Sequence, residues 1–372
     1  MRTVSAIKNI NSTLIVYGFN MVLKFIIRFV LLYYLSIEYL GLNGLFDNIL
    51  TVLSLTELGI CPAIIFSLYS PLANHDLETA KSIMRIFKKA YIYIGTLILF
   101  LGLCISPFVQ YLIKVPPNIA YLNIFFLLFV VDTGISYFYS YKKCLLIADQ
   151  KQYIANYYRG ITQLIGSLFQ IALVILTHSF WVYIILRICM TFSENFLIAR
   201  KANHLYSFLN EKNIQPLNKD IYQNIIRNIK ALILHKIGGV TVFGTSNIIL
   251  SKFVGLSAVA LYTNYYLIIN GIDKLSDQVF NALKASVGNL NESHDDAHKL
   301  VIFKRLEFMT AYLACFICSN LYLLLNQFIT IWLGSSYRFD ESIVLWMVIN
   351  FYLMFMRKGV LVFKAAMGLF WK

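Results

Sequence analysis

Long runs of hydrophobic residues alternate with short polar connections along the whole 372-residue chain. Each run approaches or exceeds the roughly 20 residues that an α-helix needs to cross a lipid bilayer. The pattern predicts ten helices, over residues 11–35, 43–69, 90–113, 120–147, 154–177, 180–201, 228–250, 257–288, 301–326 and 342–367. We therefore expect an all-α polytopic membrane protein.

The composition supports this class, because 59% of the residues are hydrophobic and only 13% are charged. Soluble proteins average about 25% charged residues. The net charge of +14 would suggest nucleic acid as the partner of a soluble protein. Here the basic residues are dispersed among the apolar runs, so we interpret them as topology signals and expect no nucleic-acid partner.

The connections between spans differ in their content of lysine and arginine, which predicts the orientation of the chain. One set of connections carries only three basic residues, Lys114, Lys252 and Arg338. The other set carries many more, namely Lys81, Arg85, Lys88, Lys89, Lys151, Arg200, Lys201, Lys212, Lys219, Lys299, Lys304 and Arg305. Cytoplasmic connections are the basic ones. Both termini are therefore predicted to face the cytoplasm.

A weak internal repeat appears when the chain is shifted by 219 residues. FSLYSPLANHDLETA (66–80) then lies against ASVGNLNESHDDAHK (285–299), and a long span followed by a basic loop recurs in both copies. The two copies share an orientation, as in transporters built from parallel repeats. We predict an N-terminal six-helix bundle over residues 1–205, a cytoplasmic inter-lobe linker over 206–227 and a four-helix C-terminal bundle over 228–372.

The second copy is shorter than the first. Lys372 aligns with Tyr153, where the first copy is only starting its fifth helix. A symmetrical molecule would have two more helices, which makes 12 or more in total. The alternatives are a truncated chain, which we favour, or a naturally incomplete second lobe.

Four of the basic residues inside the predicted spans are candidates for substrate binding. Lys24 and Arg28 are four residues apart on the first helix and share a face, and Arg187 and Arg357 add two more cations. Ionisable groups at membrane depth usually face the bundle interior or a water-filled cavity. Guanidinium and ammonium groups suit a pyrophosphate. The alternative is that such residues extend to the lipid headgroups, which depth makes harder for Lys24, Arg28 and Arg357.

Glu57 is the deepest acidic residue of the second predicted span. It precedes Gly59 and Pro62, where the helix is expected to kink and free backbone carbonyls. Two roles stay open for it. One is a structural ion pair with Lys24 or Arg28, and the other is a protonatable group that couples transport to a proton or cation.

Asp273 and Asp277 share one face of a later helix, because they are four residues apart. With Lys274 they form a polar turn inside an apolar segment. The pattern is consistent with a coupling site and equally with the wall of a solvated cavity. Both interpretations stay open at this point.

No catalytic residues, cofactor or metal site are predicted. GVTVFGTS (239–246) approaches a phosphate-binding loop, but Thr245 occupies the lysine position within an apolar span. A zinc site needs four ligands, and no cluster of cysteine and histidine supplies them. We interpret the cysteines as packing residues, at Cys61, Cys104, Cys144, Cys189, Cys315 and Cys318.

The stretch YLGLNGLFDNILTVLSLTELGICPAIIFSLYSPLA (39–73) resembles the second-helix signature of bacterial polysaccharide repeat-unit flippases. These O-antigen, capsule and exopolysaccharide flippases belong to the MATE-like multidrug/oligosaccharidyl-lipid/polysaccharide exporter superfamily. HDLETAKSIMRIFKKAYIYIG (75–95) and KAAMGLFW (364–371) are similar to them as well.

The resemblance implies two helical bundles that alternate between inward-open and outward-open states in the bacterial cytoplasmic membrane. The implied cargo is a polyprenyl-pyrophosphate-linked oligosaccharide, moved from the inner to the outer leaflet. Membrane lipids are further implied partners, and the polysaccharide polymerase and glycosyltransferases of the same pathway are candidates.

Three alternatives to this function stay open. They are a MATE-type antiporter of small molecules or cations, a flippase for lipid-linked peptidoglycan precursors, and an inactive fragment. An antiporter of organic cations should line its cavity with acidic residues, whereas the deep charges here are mixed to basic. The net charge of the cavity therefore discriminates between the flippase and the antiporter. A ligase or polymerase is disfavoured because every predicted outer loop is short.

Overall fold

The computed structural model describes residues 2–57, 60–115, 117, 119–211, 216–217, 219, 221–227, 229–230, 244–293 and 296–366. Regular structure within these residues is entirely helical. The α-helices are α1 (Arg2–Tyr34), α2 (Ile37–Leu53), α3 (Ile60–Ala73), α4 (Leu77–Ile105), α5 (Leu122–Ala148), α6 (Gln152–Thr177), α7 (Phe180–Leu205), α8 (Ser246–Phe253), α9 (Leu256–Ser293), α10 (Asp296–Leu333) and α11 (Glu341–Ala366). Short 3-10 segments cover Ser54–Glu57, Ser106–Leu112, Ser207–Asn210 and Ser335–Tyr337.

Seven helical segments in the described residues are long and apolar enough to cross a membrane. They are Asn11–Tyr34, Leu77–Leu112, Leu122–Ala148, Gln152–Thr177, Phe180–Leu205, Ala297–Leu333 and Glu341–Lys364. Helix α9 has 38 residues, but its asparagines, tyrosines and charged residues make it more polar than these seven. The all-α polytopic class predicted from the sequence is confirmed.

The second predicted span, 43–69, is two helices instead of one. Helix α2 ends at Leu53, a 3-10 turn covers Ser54–Glu57, and α3 begins at Ile60. Pro62 lies in the first turn of α3, where the missing N–H removes no hydrogen bond because the first amides of a helix have no intrahelical acceptor. The predicted single helix is thus interrupted before Pro62 and is not kinked at that residue. Gly59 lies outside the described residues.

The seventh predicted span, 228–250, falls mostly outside the described residues, together with most of the GVTVFGTS stretch. Its described end enters α8, which begins at Ser246. Two hydrogen bonds of asparagine side chains attach α8 to α2. Asn247 Nδ2 donates to the Gly44 carbonyl oxygen at 3.0 Å, and the backbone N–H of Asn247 donates to Asn48 Oδ1 at 3.1 Å.

The chain forms two compact units, Met1–Ala260 and Leu261–Lys372. The first unit has two hydrophobic clusters, one around Phe46 and Phe129 and the other around Phe87 and Leu145. The second unit has its own cluster around Phe355. The predicted inter-lobe linker 206–227 is described only in part, so the predicted division at that linker stays a prediction.

Candidate functional site

Arg187, on α7, is the centre of a polar network inside the first unit. Its Nε donates to Asp132 Oδ2 at 2.8 Å, and its Nη2 donates to Asp47 Oδ1 at 2.9 Å. Its Nη1 donates to Asn43 Oδ1 at 3.1 Å, and the guanidinium carbon lies 4.3 Å from the Phe129 ring centroid. Such a distance allows a cation–π interaction. The network joins α2, α5 and α7 through one side chain.

Two pairs of polar residues, each pair four positions apart on one helix, create this arrangement. Asn43 and Asp47 lie one turn apart on α2, and Asn43 Nδ2 donates to Asp47 Oδ2 at 3.3 Å. Tyr183 and Arg187 lie one turn apart on α7, and the Tyr183 hydroxyl donates to Asn43 Oδ1 at 3.2 Å. Residues at this spacing share a helix face, so the two faces meet as polar strips within an otherwise apolar interface.

The two carboxylates around Arg187 differ in exposure. The Asp132 side chain is 7% exposed, whereas the Asp47 side chain is 44% exposed. Removing one partner of a buried ion pair typically costs about 3–5 kcal/mol, but an exposed pair contributes about 0–1 kcal/mol. Arg187, predicted from the sequence as a substrate-binding cation, is therefore held by two carboxylates in this structure, and only Asp47 is placed for ready exchange.

Lys24 and Arg28, on α1, lie beside this network. Lys24 is exposed, yet it is within electrostatic range of Asp47 on α2, Arg159 on α6 and Arg187 on α7. Arg28 is half-buried and interacts electrostatically with Asp47. The Lys24 ammonium is accessible and lies within range of charges from three other helices. The structure thus brings together three of the four cations predicted for substrate binding.

Further charges extend the network along α5, α6 and α7. Arg159 Nε lies 3.9 Å from Glu194 Oε1, and Gln163 Nε2 donates to Glu194 Oε2 at 3.4 Å. Lys143 is within electrostatic range of both charged groups. We call the whole set the unit-1 charge cluster. In the described residues its members are five cations, Lys24, Arg28, Lys143, Arg159 and Arg187, and three carboxylates, Asp47, Asp132 and Glu194.

Glu57 lies in the 3-10 turn between α2 and α3 and is held by two tyrosines. Its Oε1 accepts from the Tyr91 hydroxyl of α4 at 3.0 Å, and its Oε2 accepts from the Tyr137 hydroxyl of α5 at 2.9 Å. Among the described residues no ion pair joins Glu57 to Lys24 or Arg28. Sequence reasoning missed both phenols, because tyrosines within apolar runs resemble ordinary packing residues.

A disulfide between Cys61 of α3 and Cys144 of α5 lies next to this site, with Cα atoms 6.0 Å apart. The Tyr91 hydroxyl is 3.8 Å from Cys144 Sγ. The prediction that all cysteines are packing residues is wrong for this pair, whose separation of 83 residues gave no local signal. The free cysteines are Cys104, Cys189, Cys315 and Cys318.

Lys358, on α11, is a buried cation of the second unit, with its side chain 10% exposed. Its Nζ lies 2.8 Å from Asp273 Oδ1 and also bonds the Asp277 carboxylate, both on α9. It donates a further bond to the Asp273 carbonyl oxygen at 3.2 Å. Lys274 Nζ lies 3.6 Å from Asp277 Oδ2. The two aspartates that the sequence left unassigned thus hold a buried lysine.

Arg357, the fourth predicted substrate-binding cation, is exposed, and its Nη1 lies 3.7 Å from Met354 Sδ on the same helix. Consecutive residues of a helix point about 100° apart. As a result Lys358, and not Arg357, is directed at α9. The sequence signal that could have found Lys358 is the carboxylate pair itself, which needs a cation on a neighbouring helix.

Glu307, on α10, is a further carboxylate of the second unit. Within the described residues, its Oε1 is buried and has no hydrogen-bond partner. A side chain at Gly359 would collide with this oxygen, so the absence of a Cβ there makes room for the carboxylate. In the described part of the chain, no group of three or more His, Cys, Asp or Glu residues is placed to hold a metal ion.

Comparison with known proteins gives no matching family model and no matching curated sequence. Among solved structures, an inward-facing multidrug resistance MATE family transporter of the MOP superfamily is similar, with a TM-score of 0.65 and 13% identity over 95% of this chain and 83% of that chain. A MATE in the bent conformation has a TM-score of 0.52 and 12% identity over 98% and 84% of the two chains. The chain is therefore a multi-pass membrane protein with a MATE-like transporter fold.

Proposed function

We propose that this protein moves a polyprenyl-pyrophosphate-linked oligosaccharide across the bacterial cytoplasmic membrane by alternating access of two helical bundles. The observation that carries the proposal is the net charge of the unit-1 charge cluster, in which five cations meet three carboxylates. Lysine and arginine recognise phosphate through charge-assisted hydrogen bonds. A cavity for organic cations would instead need an excess of carboxylates.

The geometry suggests different roles for the cations. Lys24 is accessible and offers an ammonium to the pyrophosphate directly. Arg187 contributes Nη2 once the incoming phosphate displaces the exposed Asp47, while its bond to the buried Asp132 keeps the guanidinium in place. Exchange of one carboxylate for one phosphate leaves Arg187 with an anionic partner, and release of the exposed Asp47 costs only about 0–1 kcal/mol.

Glu57 is our candidate for the group that couples transport to a proton. As an ionised carboxylate it accepts two phenol hydrogen bonds, one from each of two neighbouring helices. A proton on either oxygen turns that oxygen into a donor, and the phenol bonded there must then reverse or lose its bond. Protonation would thereby loosen the attachment of the α2–α3 turn to α4 or α5.

The MATE-like fold by itself supports a small-molecule antiporter equally well. A two-cargo assay separates the two functions. Proteoliposomes that contain the purified chain receive either a fluorescent polyprenyl-pyrophosphate-linked oligosaccharide or the organic cation ethidium. We expect translocation of the glycolipid and no uptake of ethidium. Ethidium uptake without glycolipid translocation would overturn the proposal in favour of the antiporter.

Lys24→Gln tests the role of the cluster in the same assay. Loss of one hydrogen bond to a charged group, about 1.5–3 kcal/mol, predicts a roughly 10- to 100-fold drop in glycolipid affinity. The matched control is Lys304→Gln, which neutralises an exposed lysine on α10 and should leave affinity unchanged. Equal affinities of the two variants would remove Lys24 from the proposed site.

A further inference from the structure

A cavity of about 560 Å³ lies in the first unit at the starts of α2 and α9. The predicted topology places these two helix starts, and the connection between α4 and α5, on the outer side of the membrane. The cavity does not include any member of the unit-1 charge cluster. Its lining residues include Ser36, Glu38, Tyr39, Pro117, Gly255 and Ser257.

The walls of this outer cavity are fixed to one another. The Lys114 amide donates to the Ser251 carbonyl oxygen at 3.0 Å, and Lys252 Nζ donates to the Tyr111 carbonyl oxygen at 2.8 Å. A side chain at Gly41 of α2 would collide with the Leu256 carbonyl at the start of α9. A site with walls held in this way is largely preformed, as binding sites for small polar ligands usually are.

The chemistry of the lining combines hydrogen-bond donors, acceptors and an aromatic ring. Glu38 is half-buried and supplies carboxylate acceptors, while Ser257 is exposed and offers a hydroxyl group. The Ser36 side chain makes no capping hydrogen bond to α2. The ring of Tyr39 packs against Phe180 with centroids 4.7 Å apart, which fixes its orientation. Apolar residues complete the lining.

This mixture fits a neutral ligand rich in hydroxyl groups. The Glu38 carboxylate disfavours free phosphate and other anions, since like charges repel at short range. A hydroxyl group donates to the carboxylate and accepts from the serines, and apolar ring faces of a sugar pack on the tyrosine. We infer that the outer cavity binds sugar residues of the transported oligosaccharide at the outer face of the membrane. The inference rests on the proposed function for the identity of the cargo.

The test uses Ser257→Cys in a full-length chain whose four free cysteines have been replaced by alanine. The probe is the glycan that mild acid releases from the lipid-linked oligosaccharide pool of the cells that carry the gene. This glycan lacks the lipid and the pyrophosphate. We expect it to protect the introduced thiol from a membrane-impermeant maleimide in a saturable manner. No protection at any glycan concentration would overturn the inference.

Glu38→Gln in the same background should raise the glycan concentration for half-protection by about tenfold or more, because one hydrogen bond to a charged group is lost. The matched control is Glu341→Gln, which changes an exposed first-turn glutamate of α11 in the second unit. An equal shift in the two variants, or no shift in either, would exclude Glu38 and this cavity as the glycan site.

The same sample separates this inference from the proposed function. Lys24→Gln should keep glycan protection intact while it lowers glycolipid affinity, because the released glycan carries no pyrophosphate. Protection by the glycan in a chain that does not translocate the glycolipid would reject the proposed function and leave the sugar site standing. Translocation without protection would reject the sugar site alone.

Discussion

Both units place a cation between two carboxylates, but they assemble the group differently. In the first unit, Arg187 of α7 joins Asp47 of α2 and Asp132 of α5, so that three helices meet at one guanidinium. In the second unit, Lys358 of α11 takes both carboxylates from consecutive turns of α9. The first arrangement fixes the packing of a bundle, whereas the second joins only two helices.

The net charge around the two groups also differs. Additional cations surround the first, which leaves the unit-1 charge cluster positive. Among the described residues of the second unit, the ion pairs at Lys358 involve two carboxylates and two lysines, Asp273, Asp277, Lys274 and Lys358 itself. The first group therefore lies among an excess of cations, whereas the charges of the second group balance. The following changes test this comparison.

Arg187→Gln should have the largest effect. It leaves the buried Asp132 without its cation, so we expect the free energy of unfolding to fall by about 3–5 kcal/mol. Thermal unfolding in detergent micelles measures this loss. Adding Asp132→Asn should recover most of it, because the uncompensated charge is then removed. A single variant as stable as the parent would show that Arg187 does not fix the bundle.

Lys358→Met should destabilise the protein less, by about 1–3 kcal/mol. The carboxylates left behind are 33% and 36% exposed, so water can still solvate them. The double change Asp273→Asn and Asp277→Asn should restore stability in the Lys358→Met background. A loss equal to that of Arg187→Gln, in the same unfolding measurement, would mean that the two groups are equivalent and the comparison is wrong.

Glu57→Gln should leave the fold largely intact, because the amide still offers one acceptor and fills the same space. Glycolipid translocation in proteoliposomes should lose its response to an imposed pH gradient, since no titratable group remains there. Glu341→Gln, the control, removes an exposed carboxylate of α11 that lies outside this site and should keep the response. A gradient response that survives in Glu57→Gln would exclude this residue as the coupling group.

Asp76 should give the smallest effect. Its side chain caps α4 by accepting from the Thr79 amide at 3.0 Å, and this hydrogen bond lowers the pKa of Asp76 below its usual value. Its contribution to stability is therefore complete above the ordinary carboxyl pKa of about 4 and is lost as the pH falls through the lower folded value.

Asp76→Ala should cost about 0.5–2 kcal/mol at neutral pH, whereas Asp76→Asn keeps a capping oxygen and should cost much less. Unfolding measured between about pH 3 and pH 7 checks the sign, because the difference between the parent and Asp76→Asn should shrink toward acid. A difference that grows as the pH falls would contradict the assignment.

The hydrophobic runs predicted the helix bounds well where an apolar segment forms one uninterrupted helix. The predicted spans 120–147, 154–177 and 180–201 match α5, α6 and α7 closely. They did not reveal the break between α2 and α3, because the apolar residues on either side sustain a predicted span across the short polar segment Ser54–Glu57, where the backbone changes from α to 3-10 geometry. Hydropathy measures burial in lipid and carries no information on the hydrogen-bond register of the backbone.

The sequence by itself determined the membrane class, most helix positions and the presence of polar groups that need partners. Only the tertiary structure decided which partners they have. Arg187 and Asp47 are 140 residues apart in the chain, and the Lys358 bond to Asp277 spans 81 residues. The free energy of inserting a helix into a membrane is approximately the sum of the contributions of consecutive side chains, so it can be predicted from a window of sequence. An ion pair depends on a few ångströms between distant residues, which only the packing of the helices sets.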